Sequence, residues 1–444
     1  MIKKILTPLL LFNSILFAQQ KASFSLQEAI EYSLKNSPSY LNADLDQKNA
    51  VFRKNEITGL GLPQVSGSID LKDYISLPTS LIPAQFFGGP AGSFAPVKFG
   101  TKYNATAGFS ASQLIFSSDY IIGLSAAKEY INLSKISVTR TKVDLTAQVS
   151  KAYYNVIINN QRKALLDANV ARLKKIFEDT KIMNAQGFVE KIDVERIEVQ
   201  YNNLITEQDK TGKLITLSEN MLKFQMGYKI SDEIALTDSL NINVEDQSIL
   251  NPSKIDVSKR PDYQLLTAQQ KLNELDVKRL KMGYLPTLAG YGSYQYNAQR
   301  QKFDFENTPQ QPWFKIALIG ATLNLNIFDG LQRHNQIQQA QITSKKMQNT
   351  IRNLEMSAEL EASSASILYA NAYSTMLYQK RNRELANHVY TVAQKKYEQG
   401  VGSNIELITA ETSLKEADTN YLNSIFDMLV AKIDYQKATG TLIK

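Results

Sequence analysis

Two histidines, His334 and His388, are the side chains best suited by type to bind a metal or carry a proton near neutral pH. They fall on separate expected helices with no ligand-spaced companion, so no metal site is expected from them. The chain has no cysteine, which removes disulfides, thiolate nucleophiles, cysteine zinc sites and the acylated cysteine that tethers lipoproteins. No Gly-Lys-Ser or Gly-Lys-Thr phosphate loop occurs, so energy for any transport has to come from another protein. Asp329-Gly330 suits a strand-to-helix joint better than a catalytic acid. The inventory points away from an enzyme: no catalytic residue, no cofactor and no metal is expected. What remains is chemistry of shape, carried by glycines at turns, aromatics on strands and long helical seams.

Those seams occupy most of the chain. All twelve prolines lie at or before Pro96 or between Pro252 and Pro312. Proline is the strongest helix breaker, so residues 97–251 and 313–444 are free to be helical over most of their length. Leu145, Val149, Ala152, Val156, Asn159, Lys163, Leu166, Val170, Leu173 and Phe177 step by four and three in turn, a heptad seam with two polar interruptions. Near the C-terminus Leu407, Leu414, Tyr421, Met428 and Tyr435 recur every seven, with Ala410, Ala417, Ser424, Ala431 and Ala438 between them. Large residues facing small ones let helices approach and interlock. Asp119 to Gln186 as one helix would run ~100 Å at ~1.5 Å per residue, beyond the size of a globular domain.

The two halves repeat each other. Pro38 and Pro261 are spaced by 223, as are Pro63 and Pro286; Gly187 and Gly400 are spaced by 213, as are Gly227 and Gly440. The difference implies a longer hairpin loop in the first copy, at Pro83 to Pro96 around Gly88-Gly89-Pro90-Ala91-Gly92, residues suited to an exposed turn. The expected division is a leader (1–18), a first repeat (19–229), an inter-repeat equatorial segment (230–259) and a second repeat (260–444).

In each repeat the pattern changes to extended between these landmarks. Ala317, Ile319, Ala321, Leu323, Leu325 and Ile327 alternate with Leu318, Gly320, Thr322, Asn324 and Asn326, one apolar face and one that turns polar. Such a strand fits a wall between lipid and water. Its antiparallel partner is expected at Thr287 to Tyr296, and the first copy pairs Val65 to Tyr74 with Tyr103 to Phe116. Trp313, Tyr291, Tyr294, Tyr296, Tyr103, Phe116 and Phe328 are candidates for aromatic girdles at the membrane interfaces. Four strands are too few to close a transmembrane barrel, which needs about eight, so several copies must share one; three would give twelve strands.

Export agrees with this. Met1 to Ala18 joins Lys3 and Lys4 to an apolar run ending at Phe17, a secretory leader shorter than the ~20 residues of a spanning helix. With 43% hydrophobic and 21% charged residues, the 444-residue chain can bury a core. Its net charge of +7 is spread by alternating signs along the helices, a solvated surface with no nucleic-acid partner implied.

Asn36-Ser37-Pro38, Arg260-Pro261-Asp262, Leu285-Pro286, Phe328-Asp329-Gly330 and Tyr397-Glu398-Gln399-Gly400 through Ser403 to Glu406-Leu407 together resemble the TolC-type outer-membrane efflux protein family (outer membrane factors) over essentially the whole mature chain. The resemblance implies a mainly α fold with a small β part: long coiled-coil-like helices forming a periplasmic α-barrel, plus four transmembrane β-strands per protomer completing a trimeric 12-stranded barrel. It implies an outer-membrane exit duct of a tripartite efflux or type I secretion system. The partners implied are two further copies of the chain, outer-membrane lipid, a periplasmic adaptor (membrane fusion) protein and an inner-membrane transporter.

Gly187 and Gly400 each interrupt a heptad run, so they are expected turns between antiparallel helices, at tips far from the membrane. By the resemblance the tips, with Gly400, Gly402, Ser403 and Tyr397 in the second, form the closed periplasmic entrance and the surface an adaptor grips. Glu406 matches a family position whose carboxylates ring the pore entrance. Where the best-known pattern has a second acidic ring this chain has Thr409, and where it has a basic residue this chain has Gly402. Asp193 matches the acidic partner of that missing base, so the usual salt-bridge lock is not expected. A purely periplasmic coiled-coil protein, structural spacer or adaptor, with soluble strand hairpins is the alternative architecture.

Overall fold

The computed structural model describes residues 22–239 and 256–443. The expected leader, 1–18, lies outside the described residues, as does the middle of the inter-repeat segment.

The chain opens with a short strand β1 (Ala22–Phe24) and helix α1 (Leu26–Asn36), started by a capping box in which Ser25 and Glu28 satisfy each other's backbone N–H groups. Helix α2 (Pro38–Gly59) begins on a proline, whose fixed φ and missing N–H suit the first helical position. Strand β2 (Gln64–Asp73), a small hairpin of β3 (Thr79–Pro83) and β4 (Phe94–Lys98), and strand β5 (Tyr103–Phe116) follow. Then come α3 (Ser118–Ala185), α4 (Lys191–Met226) and a short strand β6 (Ile234–Leu236). The second series is α5 (Pro261–Met282), β7 (Thr287–Arg300), β8 (Phe314–Asn324), α6 (Gln332–Glu398) and α7 (Asn404–Ala438).

The repeat is visible in the lengths. Helices α2 and α5 both have 22 residues and both begin on proline; α3 and α6 have 68 and 67; α4 and α7 have 36 and 35. The long loop of the first copy is more than a turn. It is the β3–β4 hairpin, paired from Thr79↔Lys98 to Pro83↔Phe94. Pro83 and Pro96 are accommodated in it because a two-stranded ribbon has free edges where proline costs no ladder bond.

Two compact units divide the chain across both repeats. One contains residues up to Leu45, Ser137–Gln264 and Asn353–Lys444. Its core follows the seams: Leu145, Val149 and Val156 of α3 pack with Ala29, Leu222, Met226 and Ile234. Further along, Leu166 and Leu173 of α3 meet Ile197 and Leu204 of α4, Tyr390 and Ala393 of α6, and Leu407, Ala410 and Leu414 of α7. Strands β1 and β6 pair in parallel, so the start of the inter-repeat segment is tied to the start of the first repeat. Arg260, nearly buried, donates to Asp262 at 2.8 Å, to Glu361 at 2.8 Å and to the Ala438 carbonyl at 3.2 Å, which clasps the start of the second repeat to its last helix.

The other unit, Asp46–Ile136 and Leu265–Arg352, holds one antiparallel sheet in the order β2-β5-β7-β8. The two expected hairpins are present, and a β5–β7 ladder from Tyr103↔Arg300 to Phe116↔Leu288 joins them, with an irregularity between Leu114 and Phe116. Strands β2 and β8 are left as edges.

Candidate functional sites: a two-faced wall and a pair of helical tips

Strand register sorts the sheet into two faces. Cross-strand rows Val65–Ala111–Gly292–Ile319, Gly67–Phe109–Tyr294–Ala317 and Ile69–Ala107–Tyr296–Lys315 share one face. Ser66–Ser110–Ser293–Leu318, Ser68–Gly108–Gln295–Ile316 and Gln64–Ser112–Tyr291–Gly320 share the other, because successive side chains alternate. Over these three rows the first face is apolar except for Lys315; it leaves Ile319 95% and Ile69 86% exposed in the protomer. The second is mainly hydroxyl and amide on β2, β5 and β7, with a Ser66–Ser110 hydroxyl contact at 2.9 Å. From Leu288 to Ala298 the apolar face spans about ten residues, ~25 Å when strands tilt by ~45°, the height of a barrel's lipid-facing band.

The aromatic residues divide. Tyr103 and Trp313 mark one end of the sheet: Tyr103 meets Phe303 edge-on at 5.5 Å between ring centres, and the Trp313 indole N–H donates to the Phe305 carbonyl at 3.0 Å. Phe116 and the exposed Phe328 mark the end that leads into α3 and α6. Tyr294 and Tyr296 sit on the apolar face with their hydroxyls 3.2 Å apart. Tyr291 departs from the expected set. It is three residues from Tyr294, an odd separation, so it points to the polar face. There its ring covers Gly320, where an added Cβ would come within 2.7 Å of it.

The helical tips are the second site. In the first, Gly187 has φ +82° and the Phe188 N–H donates to the Met183 carbonyl at 2.9 Å. In the second, Gly400 has φ +72° and the Val401 N–H donates to the Lys396 carbonyl at 3.0 Å. Both are left-handed helix ends of the kind glycine favours. Gly402 has a different reason to be glycine. A Cβ there would lie 2.9 Å from Lys396 Cβ and from the Tyr397 nitrogen, so the turn has no room for the basic residue of the family pattern.

The charges at the tips are paired locally. Asp193 lies 3.5 Å from Arg196, one turn along α4, and its backbone carbonyl accepts from Asn404 Nδ2 at 3.1 Å. Glu406 is exposed and ion-paired with Lys396 at 3.0 Å, while its backbone N–H is capped by Ser403 at 3.1 Å. Thr409 donates to the Ile405 carbonyl at 2.7 Å. Tyr397 is half-buried, its hydroxyl 3.0 Å from Thr180 Oγ1 on α3. Sequence reasoning placed these residues but missed Thr180, Arg196 and Lys396 as partners. Lys396 had a usable signal: it and Glu406 flank the turn symmetrically.

Behind the tips lies a polar layer that the sequence pattern did not reveal. Arg172 stacks over the Tyr390 ring at 5.1 Å and reaches Glu411 at 3.4 Å. Burial holds the Glu411 carboxyl above the ordinary carboxylate range; Arg172 opposes that shift and nearby Asp418 adds to it. A cavity of about 490 Å³ opens beside them, lined by Arg172, Asp179, Tyr390, Tyr397, Gly400 and Leu407 among others. Among the described residues no group of three or more His, Asp or Glu is placed to hold a metal, and no helix is long and apolar enough to cross a membrane.

Comparison with known proteins gives the same picture. A family model described as "Outer membrane efflux protein" matches residues 258–441, the second repeat. The chain is 21% identical over 350 residues to the outer membrane protein TolC of Vibrio cholerae, covering 76% of this chain and 77% of that one. Its fold is similar to the Campylobacter jejuni CmeC outer membrane channel, with TM-score 0.72 at 15% identity over 94% of this chain and 86% of that one. It is also similar to the open-state Neisseria gonorrhoeae MtrE outer membrane channel, with TM-score 0.74 at 15% identity over 94% and 89%.

Proposed function

Over residues 258–441 the chain belongs to the outer membrane efflux protein family, and from that premise we propose that it is the outer-membrane exit duct of a tripartite efflux or type I secretion assembly. The observation that carries this reading is the sheet: one face apolar, the other largely polar, and both edges open. A soluble domain would leave that apolar face in water, and an open sheet edge has no place in hydrocarbon. Both problems end if β8 of one copy pairs with β2 of the next until three copies close a twelve-stranded barrel. The same arrangement brings the long helices of three copies into a common tube. The duct resides in the bacterial outer membrane.

The role is passive conduction. The energy and the choice of cargo belong to the inner-membrane transporter that feeds the duct. The two tips, through Gly187 and Gly400, are the surface a periplasmic adaptor docks on. Glu406 contributes its carboxylate to the entrance together with Lys396, so the field there is set by the pair. Of the aromatic residues, Tyr103 and Trp313 at one end and Phe116 and Phe328 at the other serve as the interface girdles, and Tyr294 and Tyr296 line the lipid face between them.

The test is membrane fractionation with oligomeric mass. Sarkosyl-insoluble recovery and the mass of three protomers are expected. Ile319→Arg on the apolar face should cost ~2–4 kcal/mol of barrel stability if that face meets lipid, whereas a water-exposed site would change by within about 0.5 kcal/mol. Soluble recovery of a monomer indifferent to Ile319→Arg would return the chain to the periplasmic spacer architecture.

A further inference from the structure

The hairpin β3–β4 has no counterpart in the second repeat, where β7 and β8 are joined by residues 301–313 with the exposed charges Lys302, Asp304 and Glu306. From Tyr74 to Val97 there is no charged residue at all. The hairpin nevertheless shows a large apolar side: Phe86 is 79%, Leu81 68%, Phe87 64% and Phe94 61% exposed in the protomer. Nor is it a loose loop. The Ala84 N–H donates to the Ser93 carbonyl and the Gly89 N–H to the Ala84 carbonyl, both at 2.9 Å, and a Cβ on Gly89 would come within 2.8 Å of Ala84 Cβ. A built turn holds Phe86 and Phe87 outward.

What covers this side can be argued by elimination. Hydrocarbon does not suit it, because β3 and β4 form a two-stranded sheet with both outer edges unpaired among the described residues, and each unsatisfied backbone group costs several kcal/mol in a bilayer core. Anionic lipid headgroups do not suit it either, since they are bound by clustered Lys and Arg and the stretch has none. A second copy of the same hairpin does suit it. The β2–β5 ladder continues past its end through the Tyr74 N–H to the Lys102 carbonyl at 2.8 Å, so the hairpin rises directly from β2, the strand at the open edge where copies meet. Copies gathered around one axis bring like charges together, and a charge-free surface avoids that repulsion.

We propose that the apolar sides of these hairpins pack against one another across neighbouring copies, forming an apolar collar at the outer mouth of the duct. This rests on the trimeric duct reading. The absence of native cysteine makes the test clean: Gln85→Cys and Ala91→Cys, each introduced singly at the hairpin tip, are treated with a short bismaleimide after the trimeric mass has been established. Crosslinked dimers are expected, the most that one thiol per protomer allows, with their loss when Phe86→Ser and Phe87→Ser are added. A trimer that yields no crosslink at either position overturns the collar. So does a fluorophore on either cysteine that is quenched by brominated acyl chains, which would make lipid the occupant. A preparation that is not trimeric would instead count against the duct reading.

Discussion

Asp193 and Glu406 are each the third residue of the helix that leaves a tip, in corresponding places of the two repeats, yet they are neutralised differently. Asp193 uses Arg196 on its own helix; at the place corresponding to Arg196 the second repeat has Thr409, and Glu406 reaches back across the turn to Lys396. The first tip starts its helix at Glu190 without a side-chain cap, whereas the second has Ser403 as a working cap. Further along, Glu411 is buried against Arg172 and Tyr390, while Glu198, its counterpart, is exposed. The acidic residue of the first tip is paired within its own helix and that of the second across the turn between two helices. Movement of α6 against α7 is therefore opposed at the second tip by an ion pair across the turn, where the first tip has its ion pair within α4.

The largest effects should come from backbone shape. Gly400→Val places a β-branched residue at φ +72°, where an L-residue pays roughly 1–2 kcal/mol before branching is counted. Loss of adaptor crosslinking with an intact trimer is the expected result, and Gly187→Val should do the same at the first tip. Normal crosslinking and efflux in both would remove the tips as the docking surface. Gly402→Arg tests the asymmetry itself: the Cβ contact at 2.9 Å means that restoring the missing base should distort the turn rather than lock it.

Next is the buried carboxylate. Because the Glu411 pKa is raised on folding, its contribution to stability is full below the ordinary carboxylate value and is lost as pH rises through its folded value. Glu411→Gln should therefore raise the thermal midpoint above that range and flatten the pH profile, while Glu198→Gln on the exposed side should change stability by within about 0.5 kcal/mol. An unchanged pH profile in Glu411→Gln would refute the buried layer as its source.

Smaller effects follow at single hydrogen bonds. Ser403→Ala removes a helix cap and Tyr397→Phe removes the bond to Thr180, each about 1 kcal/mol, seen as faster amide exchange at the second tip only. The smallest concern the field at the entrance. Glu406→Gln should lower cation preference in single-channel recordings and Lys396→Met should raise it, with Arg196→Met and Asp193→Asn as the matched pair at the first tip. Unchanged selectivity in Glu406→Gln would make it an ordinary solvated residue.

Periodicity is why the long elements were legible. A helix expected from Asp119 to Gln186 runs from Ser118 to Ala185, because a proline-free heptad seam leaves few alternatives. The strand pairs were legible because apolar and polar residues alternate along them. Which hairpin edges meet was not, since the β5–β7 ladder is set by tertiary packing and no local pattern encodes it. Tyr291 was grouped with Tyr294 on residue type although strand parity separates them. At the tips the turn glycines were legible from their break in the seam, but the partners Thr180, Arg196 and Arg172 depend on helix rotation, which sequence spacing leaves open.

The most direct test of the central claim is planar-bilayer conductance of the detergent-purified protein, recorded on a preparation of known oligomeric mass. A trimer that inserts and gives low, long-lived conductance is the expected result, a continuous duct constricted at its entrance. A soluble monomer or dimer with no channel activity would contradict it and would mean that the two-faced sheet is not a membrane wall.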